Sequence, residues 1–297
     1  NSLNNLDDSI VLLENVLKID GDDYGLKAAV NLAIFRFLKN NFAASKDLLL
    51  KSLKIQEKAT FEFENEKIYQ NYLLKLLSWH ENETLTYPRL NPEKNLYVIG
   101  ESHALVSHGL RVQNSRSNFL CETFWIIGCK QWHLGSSIRN KYKLQFESVF
   151  CSLPKFSDVL LAIGEIDCRL GDGIIPHRDK HPQKNITELI STTVENYLNY
   201  VFKMNSCLKH HIIIQGVPCP NVKIESSSGK KMTELINVIK DFNSVLKNKS
   251  QRMGYGFLDV HKLTDNGDGF SNAIWHLDDI HLTPEGMQQA WHTYALQ

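Results

Sequence analysis

From about residue 92 onward, short apolar, β-favouring runs alternate with longer amphipathic stretches, and few folds accept that order. The runs are Leu96–Ile99, Phe124–Ile127, Val159–Ile163, His211–Val217 and Gly256–Val260, rich in β-branched and aromatic residues. Between most of them, at roughly 139–152, 185–207 and 230–249, apolar residues recur at helical spacing. A strand that is apolar along its whole length is covered on both faces, as in a parallel sheet between helical layers. The expectation is therefore an α/β domain over 92–297, with a parallel sheet in three α/β/α layers. In such sheets ligands bind beyond the carboxyl ends of the strands. Ser102, Gly128 and Glu165 all fall just past a predicted strand end.

Residues 1–82 follow a different pattern, with apolar positions at three- and four-residue spacing in Ile10–Leu17, Leu32–Leu38 and Leu48–Leu53. The stretch Leu12–Ile19 matches Leu48–Ile55 at an offset of 36, the period of stacked helical hairpins. Asn31-Leu32-Ala33-x-Phe35 followed by Asn41-Phe42-Ala43-Ala44 resembles a tetratricopeptide repeat, with Asn40-Asn41 where a small turn residue is usual. Such an all-α array either grips a protein partner or caps its neighbour. The segment 80–92, with Glu81-Asn82-Glu83 and two prolines, reads as the linker.

Composition removes several classes of function. Lys plus Arg and Asp plus Glu both total 33, so no overall charge draws the chain to nucleic acid or an anionic membrane. No apolar run approaches the roughly 20 residues of a spanning helix. The six cysteines form no CxxC pair and several sit in apolar runs; they read as reduced thiols, which favours a cytoplasmic location. The chain opens on Asn1 and not methionine, as a piece of something longer would, so the lack of a leader carries little weight. The 12 histidines include no HExxH or similar ligand spacing, so no metal is expected. Gly171-Asp172-Gly173 lacks the remainder of any phosphate-binding fingerprint.

The chemistry-bearing segments are far apart in sequence. Gly100-Glu101-Ser102-His103 places a hydroxyl at the exit of the first strand. Asp278-Asp279-Ile280-His281 places a carboxylate three residues before an imidazole, ahead of a helix start with Thr283 as N-cap and Pro284 at its first position. A free serine is a poor nucleophile; a histidine that takes its proton and an aspartate that orients the histidine make it a good one. Each piece alone has a plainer reading. Gly-x-Ser-x after a strand is most often only a βα turn, and Asp-x-x-His before a helix is most often capping and solvation. Both together, in order and at the right strand ends, favour a working trio of Ser102, His281 and Asp278.

On these residues the second region resembles the SGNH, or GDSL-like, hydrolase and acyltransferase superfamily. Gly100-Glu101-Ser102-His103 is similar to its first block; Asp278-x-x-His281 with the following Leu-Thr-Pro-Glu-Gly is similar to its last. The resemblance covers about 95–297 and implies a flavodoxin-like fold. It also implies an oxyanion hole from the N–H groups of Ser102 and Gly128 plus an asparagine after the third strand. The chain departs there, with Gly164-Glu165-Ile166-Asp167-Cys168-Arg169 where the family has Gly-x-Asn-Asp. Isoleucine donates nothing, and losing one such donor costs about 100- to 1000-fold in rate elsewhere. Arg169, His103 and Asn114 are the candidate replacements. The N–H of Ser102 is expected near a helix N-terminus, where negative charge is favoured.

His103, Glu165, Asp167, Arg169 and Trp275 are the candidates for substrate contact. Glu165, Asp167 and Arg169 read equally as a plain ion-pair cluster. Trp125 and Trp132 read as core or pocket wall. The polar run 165–169 also resembles a subgroup associated with helical-repeat proteins near polysaccharide genes. The expected activity is serine-dependent ester chemistry on an O-acylated, foremost O-acetylated, carbohydrate, by hydrolysis without a cofactor. One alternative is O-acyl transfer to a surface polysaccharide from a donor such as acetyl-CoA. The other is a non-catalytic binding module on a degenerate hydrolase scaffold.

Overall fold

The computed structural model describes residues 2–19, 23–56, 64–82, 91–115, 117–222 and 229–296. The chain divides into two compact units, Asn1–Arg89 and Leu90–Gln297. Residues 83–90 of the expected linker lie outside the described residues.

The first unit is built from four helices, α1 (Ser2–Ile19), α2 (Asp23–Leu38), α3 (Phe42–Gln56) and α4 (Glu64–Asn82). Leu26, Val30, Ala33, Ile34, Phe37, Leu49, Tyr72, Leu73 and Leu76 are buried among them. The α2–α3 turn shows why asparagine serves where a smaller residue is usual. Asn40 takes a left-handed backbone with φ 58°, which asparagine accepts more readily than most residues. Asn40 and Asn41 donate their N–H groups to the carbonyls of Phe37 (2.8 Å) and Arg36 (2.9 Å), closing the helix end. Asn41 Oδ1 then accepts from Ala44 N at the start of α3.

The second unit holds a six-stranded sheet of β1 (Lys94–Gly100), β2 (Arg111–Gln113), β3 (Asn118–Trp125), β4 (Asp158–Ala162), β5 (His211–Gln215) and β6 (Gly256–Leu258). The spatial order is β2-β3-β1-β4-β5-β6. Five strands are parallel, as expected of the sheet, and β2 adds an antiparallel pairing with β3 at one edge. β4 is buried at every position, as its continuous apolar run requires. Val159 and Leu161 join one core with Phe146 and Phe150 of α7 (Lys141–Ser152), Val194 and Tyr197 of α10 (Ile186–Asn205) and Phe242 of α11 (Gly229–Arg252). Met287 and Trp291 of α13 (Pro284–Ala295), whose helix contacts β2 and β6, are buried outside that core. The result is the three-layer α/β/α arrangement.

The second expected strand is displaced. Sequence placed it at Phe124–Ile127, whereas β3 spans Asn118–Trp125. β3 alternates, burying Phe119, Cys121 and Thr123 while Asn118, Leu120 and Glu122 are more open, so it lacks a continuous apolar signature. The apolar Ile126-Ile127 pair instead continues past the strand, with Ile127 exposed. Gly100, where β1 leaves the sheet, is fixed by crowding: a Cβ there would lie 2.2 Å from the carbonyl oxygen of Ala162. That close approach lets the chain turn immediately into Glu101 and Ser102. Among the described residues no helix is long and apolar enough to cross a membrane.

Candidate active site

Three separate loops meet at the carboxyl end of the sheet. β1 ends at Gly100, and Glu101 caps a single helical turn, α5 (Ser102–Leu105). β4 ends at Ala162 and passes through Gly164 into another single turn, α8 (Glu165–Cys168). The segment before α13 supplies the third part. It is folded back on itself: Leu277 N donates to His281 O (2.8 Å), Thr283 N donates to Trp275 O (2.8 Å), and His276 bridges Leu282. Asn221 ties this loop to the chain after β5, donating Nδ2–H to Asp278 O at 2.9 Å. Thr283 caps α13 as expected, its Oγ1 accepting from Gly286 N.

These loops bring together residues 179 positions apart. Ser102 Oγ lies 2.9 Å from His281 Nε2. His281 Nδ1 lies 2.8 Å from Asp278 Oδ2. Asp278 is not on a helix; its Oδ1 accepts the N–H groups of Ile280 (2.9 Å) and His281 (2.7 Å), a tight Asx turn. A carboxylate only accepts, so Nδ1 carries the hydrogen and the neutral ring presents a lone pair at Nε2 to the serine. That is the tautomer general-base attack requires.

The electrostatics agree with the geometry. Burial would raise the Asp278 carboxyl, but the His281 ring and the two backbone N–H groups hold it well below the usual carboxylate range. Burial lowers His281, with Asp278 working against it. His281 therefore stays neutral to lower pH than a free histidine. A reaction that uses neutral His281 as its base loses rate as pH falls through the folded value of that ring, so the acidic limb of kcat/KM should have its midpoint below 6.5, the ordinary histidine value. A pH–rate profile on a chromogenic ester checks this, and a midpoint above that value would contradict it.

Sequence reasoning missed Glu101 as a contact of the nucleophile. Its Oε2 accepts from the Ser102 hydroxyl at 2.7 Å and from His103 N at 3.3 Å. The single serine proton thus has two acceptors, Glu101 Oε2 and His281 Nε2. An acidic residue directly before the serine, at an N-cap position, was the available signal. Ser102 and His281 are also more enclosed than a rim position suggests, at 3% and 1% exposed.

The other expected residues divide into groups. Glu165 and Arg169 form a close ion pair, Arg169 Nε donating to both carboxylate oxygens (3.0 and 2.7 Å). His103 joins them, with Nε2 3.7 Å from Glu165 Oε2 and its ring centroid 4.9 Å from that of His281. Asp167 turns elsewhere: its oxygens accept the N–H groups of Gln131 (2.7 Å) and Trp132 (3.1 Å), bracing α6 (Gln131–Gly135). Burial pushes its carboxyl up to about 7. It does not belong to the Glu165–Arg169 ion pair, which corrects the three-member cluster read from sequence. Trp275 packs by its Cβ and carbonyl against Gly286 at the start of α13. Asn114 sits in the β2–β3 turn, where its Oδ1 accepts from Ser117 N. Gly128 lies three residues beyond β3 with φ 68°, free of cost for glycine alone. α5 is too short for a sizeable dipole, so any oxyanion contact at Ser102 is the local N–H itself.

Several solved structures are similar to this chain in fold. A phospholipase A1 from Streptomyces albidoflavus matches at 14% identity, covering 69% of this chain and 98% of its own, with a TM-score of 0.41. A GDSL-like lipase from Bacteroides thetaiotaomicron matches at 14% identity over 73% and 97%, TM-score 0.41. A member of the lipolytic protein G-D-S-L family from Veillonella parvula matches at 14% identity over 68% and 96%, TM-score 0.40. No family model matches the sequence. No curated protein matches it either.

One further cluster bears on metals. Glu101, His103 and Glu165 bring ligand-type atoms within 4.8 Å of one another, the single such group among the described residues. Both carboxylates are already engaged, Glu101 by Ser102 and Glu165 by Arg169. His103 Nε2 faces Glu165 Oε2 at 3.7 Å within this cluster.

Proposed function

We propose that this protein hydrolyses carboxylic esters through an acyl-enzyme on Ser102, acting on an O-acylated carbohydrate. The observation that carries the reading is the unbroken line of contacts from Ser102 Oγ to His281 Nε2 (2.9 Å) and from His281 Nδ1 to Asp278 Oδ2 (2.8 Å). As Oγ attacks the ester carbonyl, Nε2 takes its proton and Asp278 stabilises the imidazolium. The developing oxyanion is assigned to the N–H groups of Ser102 and Gly128. His281 then returns the proton to the departing alcohol, and water, activated by the same base, releases the acid and restores the serine.

Two recesses beside α8, neither lined by Ser102, Asp278 or His281, are proposed to take a short acyl group and a polar alcohol. A small cavity of about 170 Å³ is lined by Val217, Pro218, Pro220, Ile239 and Ile280, the last adjacent to His281. Its apolar walls suit an acyl chain of a few carbons. A larger cleft of about 530 Å³ is lined by Trp132, Ser136, Asp167, Thr192 and Asn196, with Lys180 and Lys184 at its side. Trp132 is 56% exposed, and its ring beside hydroxyl and amide groups suits the face of a sugar. The two sites flank α8, which contributes Glu165 to the first and Asp167 to the second. The helical unit, read as tetratricopeptide-like, is proposed to hold a protein partner.

The test is a substrate series. Acetyl esters of p-nitrophenol should be cleaved at least tenfold faster than octanoyl esters, and an O-acetylated oligosaccharide should release acetate. Preference for the long chain, with no acetate from the glycan, would overturn the carbohydrate assignment. Accumulation of acylated sugar when acetyl-CoA and an unmodified glycan are supplied would identify transfer in place of hydrolysis.

A further inference from the structure

We propose that His103 is a fixed positive charge, clamped between the carboxylates of Glu101 and Glu165, that keeps the adjacent imidazole of His281 unprotonated and ready to act as base. The inference rests on the Ser102–His281 reading, since only there does the state of His281 matter.

Charge balance sets the state of the buried side chains here. Glu101 is 1% exposed, and the Glu165 side chain 11%. Two carboxylates so placed require two positive partners, because an uncompensated buried charge is costly. Arg169 supplies one, with its guanidinium directed at Glu165 through Nε and, at 2.5 Å, a terminal nitrogen. The second must come from the side chain lying between the acids. His103 is 3% exposed, its Nε2 lacks a hydrogen-bond partner, and that nitrogen points toward Glu165 at 3.7 Å. A proton on His103 gives Glu101 and Glu165 a second cationic partner beside Arg169, while the third carboxylate, Asp278, is held by His281 and the N–H groups of its own loop.

That charge acts on the base. The two rings are 4.9 Å apart between centroids, tilted by 39°. In a site screened from water, a second positive charge on His281 at this distance is strongly opposed. The groups facing the two rings come from every neighbouring loop. Glu101 faces them from the N-cap of α5; Glu165 and Arg169 face them from α8 and its C-cap; His276 and Asp278 face them from the C-terminal loop. Burial alone would lower His103, but Glu101 and then Glu165 outweigh it and raise it. For His281 burial and the His103 charge both act downward, against Asp278. His276 is pushed down to about 4 by burial and stays neutral beside them, its Nδ1 2.8 Å from Ser271 Oγ. Two adjacent histidines are thus driven to opposite charge states by their surroundings. His103 touches no reacting atom; it is a positioning residue.

The experiment reads His281 directly and needs no turnover. With ¹⁵N-labelled histidine, long-range ¹H–¹⁵N correlation spectra of the whole protein report the protonation of each ring across pH. At pH 7 His103 should show both nitrogens protonated, and His281 should be neutral with hydrogen on Nδ1. In His103→Gln, which keeps size and polarity without charge, the His281 midpoint should move up by about one pH unit. The acidic limb of kcat/KM should move with it. A neutral His103 in the wild type at pH 7 overturns the proposal, and so does a His281 midpoint unchanged or lowered in the variant. His103→Asn serves in the same way if the glutamine variant does not fold. Were the protein to cleave no ester at all, the catalytic reading would fall while the titration still decided the role of His103.

Discussion

Replacing Ser102 by alanine is expected to lower ester hydrolysis by about 10⁴-fold or more and to abolish covalent labelling by a fluorophosphonate. The size follows from what the hydroxyl does. Without Oγ no acyl-enzyme forms, and what remains is binding and oxyanion contact around an unassisted water. The same change leaves the fold in place, because Ser102 is a small residue on a one-turn helix whose cap contact, Glu101 to His103 N, does not use the hydroxyl. Intact-mass spectrometry after labelling and initial rates on p-nitrophenyl acetate measure both effects. Residual hydrolysis within tenfold of wild type, with labelling retained, would move the nucleophile elsewhere. Loss of both with an unchanged melting curve would tie the chemistry to this one oxygen. It would also exclude a non-catalytic scaffold as the sole role.

How much of this could be read from the sequence depended on whether a signal was local. Three helices of the second unit followed from amphipathic spacing, and the observed α7, α10 and α11 begin and end within about three residues of the expected spans. The cap of α13 followed from Thr283-Pro284, because its donors and acceptors lie within four residues. The contacts of Ser102, His281 and Asp278 join two short segments whose separation in sequence the topology removes. β3 and β2 did not follow. β3 carries its apolar residues on alternate positions, and β2 is three residues long, Arg111-Val112-Gln113, with no pattern to detect. Their pairing is a tertiary fact. The third block illustrates the same limit within one segment. Glu165, Asp167 and Arg169 look like one charged run, yet the single turn of α8 turns Glu165 toward Arg169 and His103 and directs Asp167 to the N–H groups of α6. Spacing alone could not assign those two acids to different neighbours. The role of Glu101 was hidden for a related reason: an acid before the serine reads as an N-cap, and it is one, so its second contact with the hydroxyl adds no sequence signal.

The second large effect concerns the aspartate and follows from which of its oxygens faces which donor. Asp278→Asn is expected to reduce kcat/KM by about 10⁴-fold near neutral pH while changing stability little. Oδ1 is held by two backbone N–H groups, those of Ile280 and His281, and Oδ2 by the ring nitrogen of His281. An asparagine must place its one oxygen against the two backbone donors, since its amide hydrogens would otherwise confront them. The NH₂ group then faces His281 Nδ1 and forces that nitrogen to accept. The hydrogen moves to Nε2, the lone pair toward Ser102 disappears, and the serine hydroxyl is left with Glu101 as its acceptor. The structure is retained and the base is gone. Two readouts separate this from general damage: the ¹⁵N spectrum of His281 should switch from hydrogen on Nδ1 to hydrogen on Nε2, and the rate should recover in part at high pH, where hydroxide replaces the missing base. A variant that keeps the original tautomer and most of its activity would mean that Asp278 shapes the loop without setting the chemistry. The Asx turn that folds Asp278 under Ile280 and His281 therefore does two jobs with one side chain. It shapes the loop through Oδ1, and it selects the reactive tautomer through Oδ2.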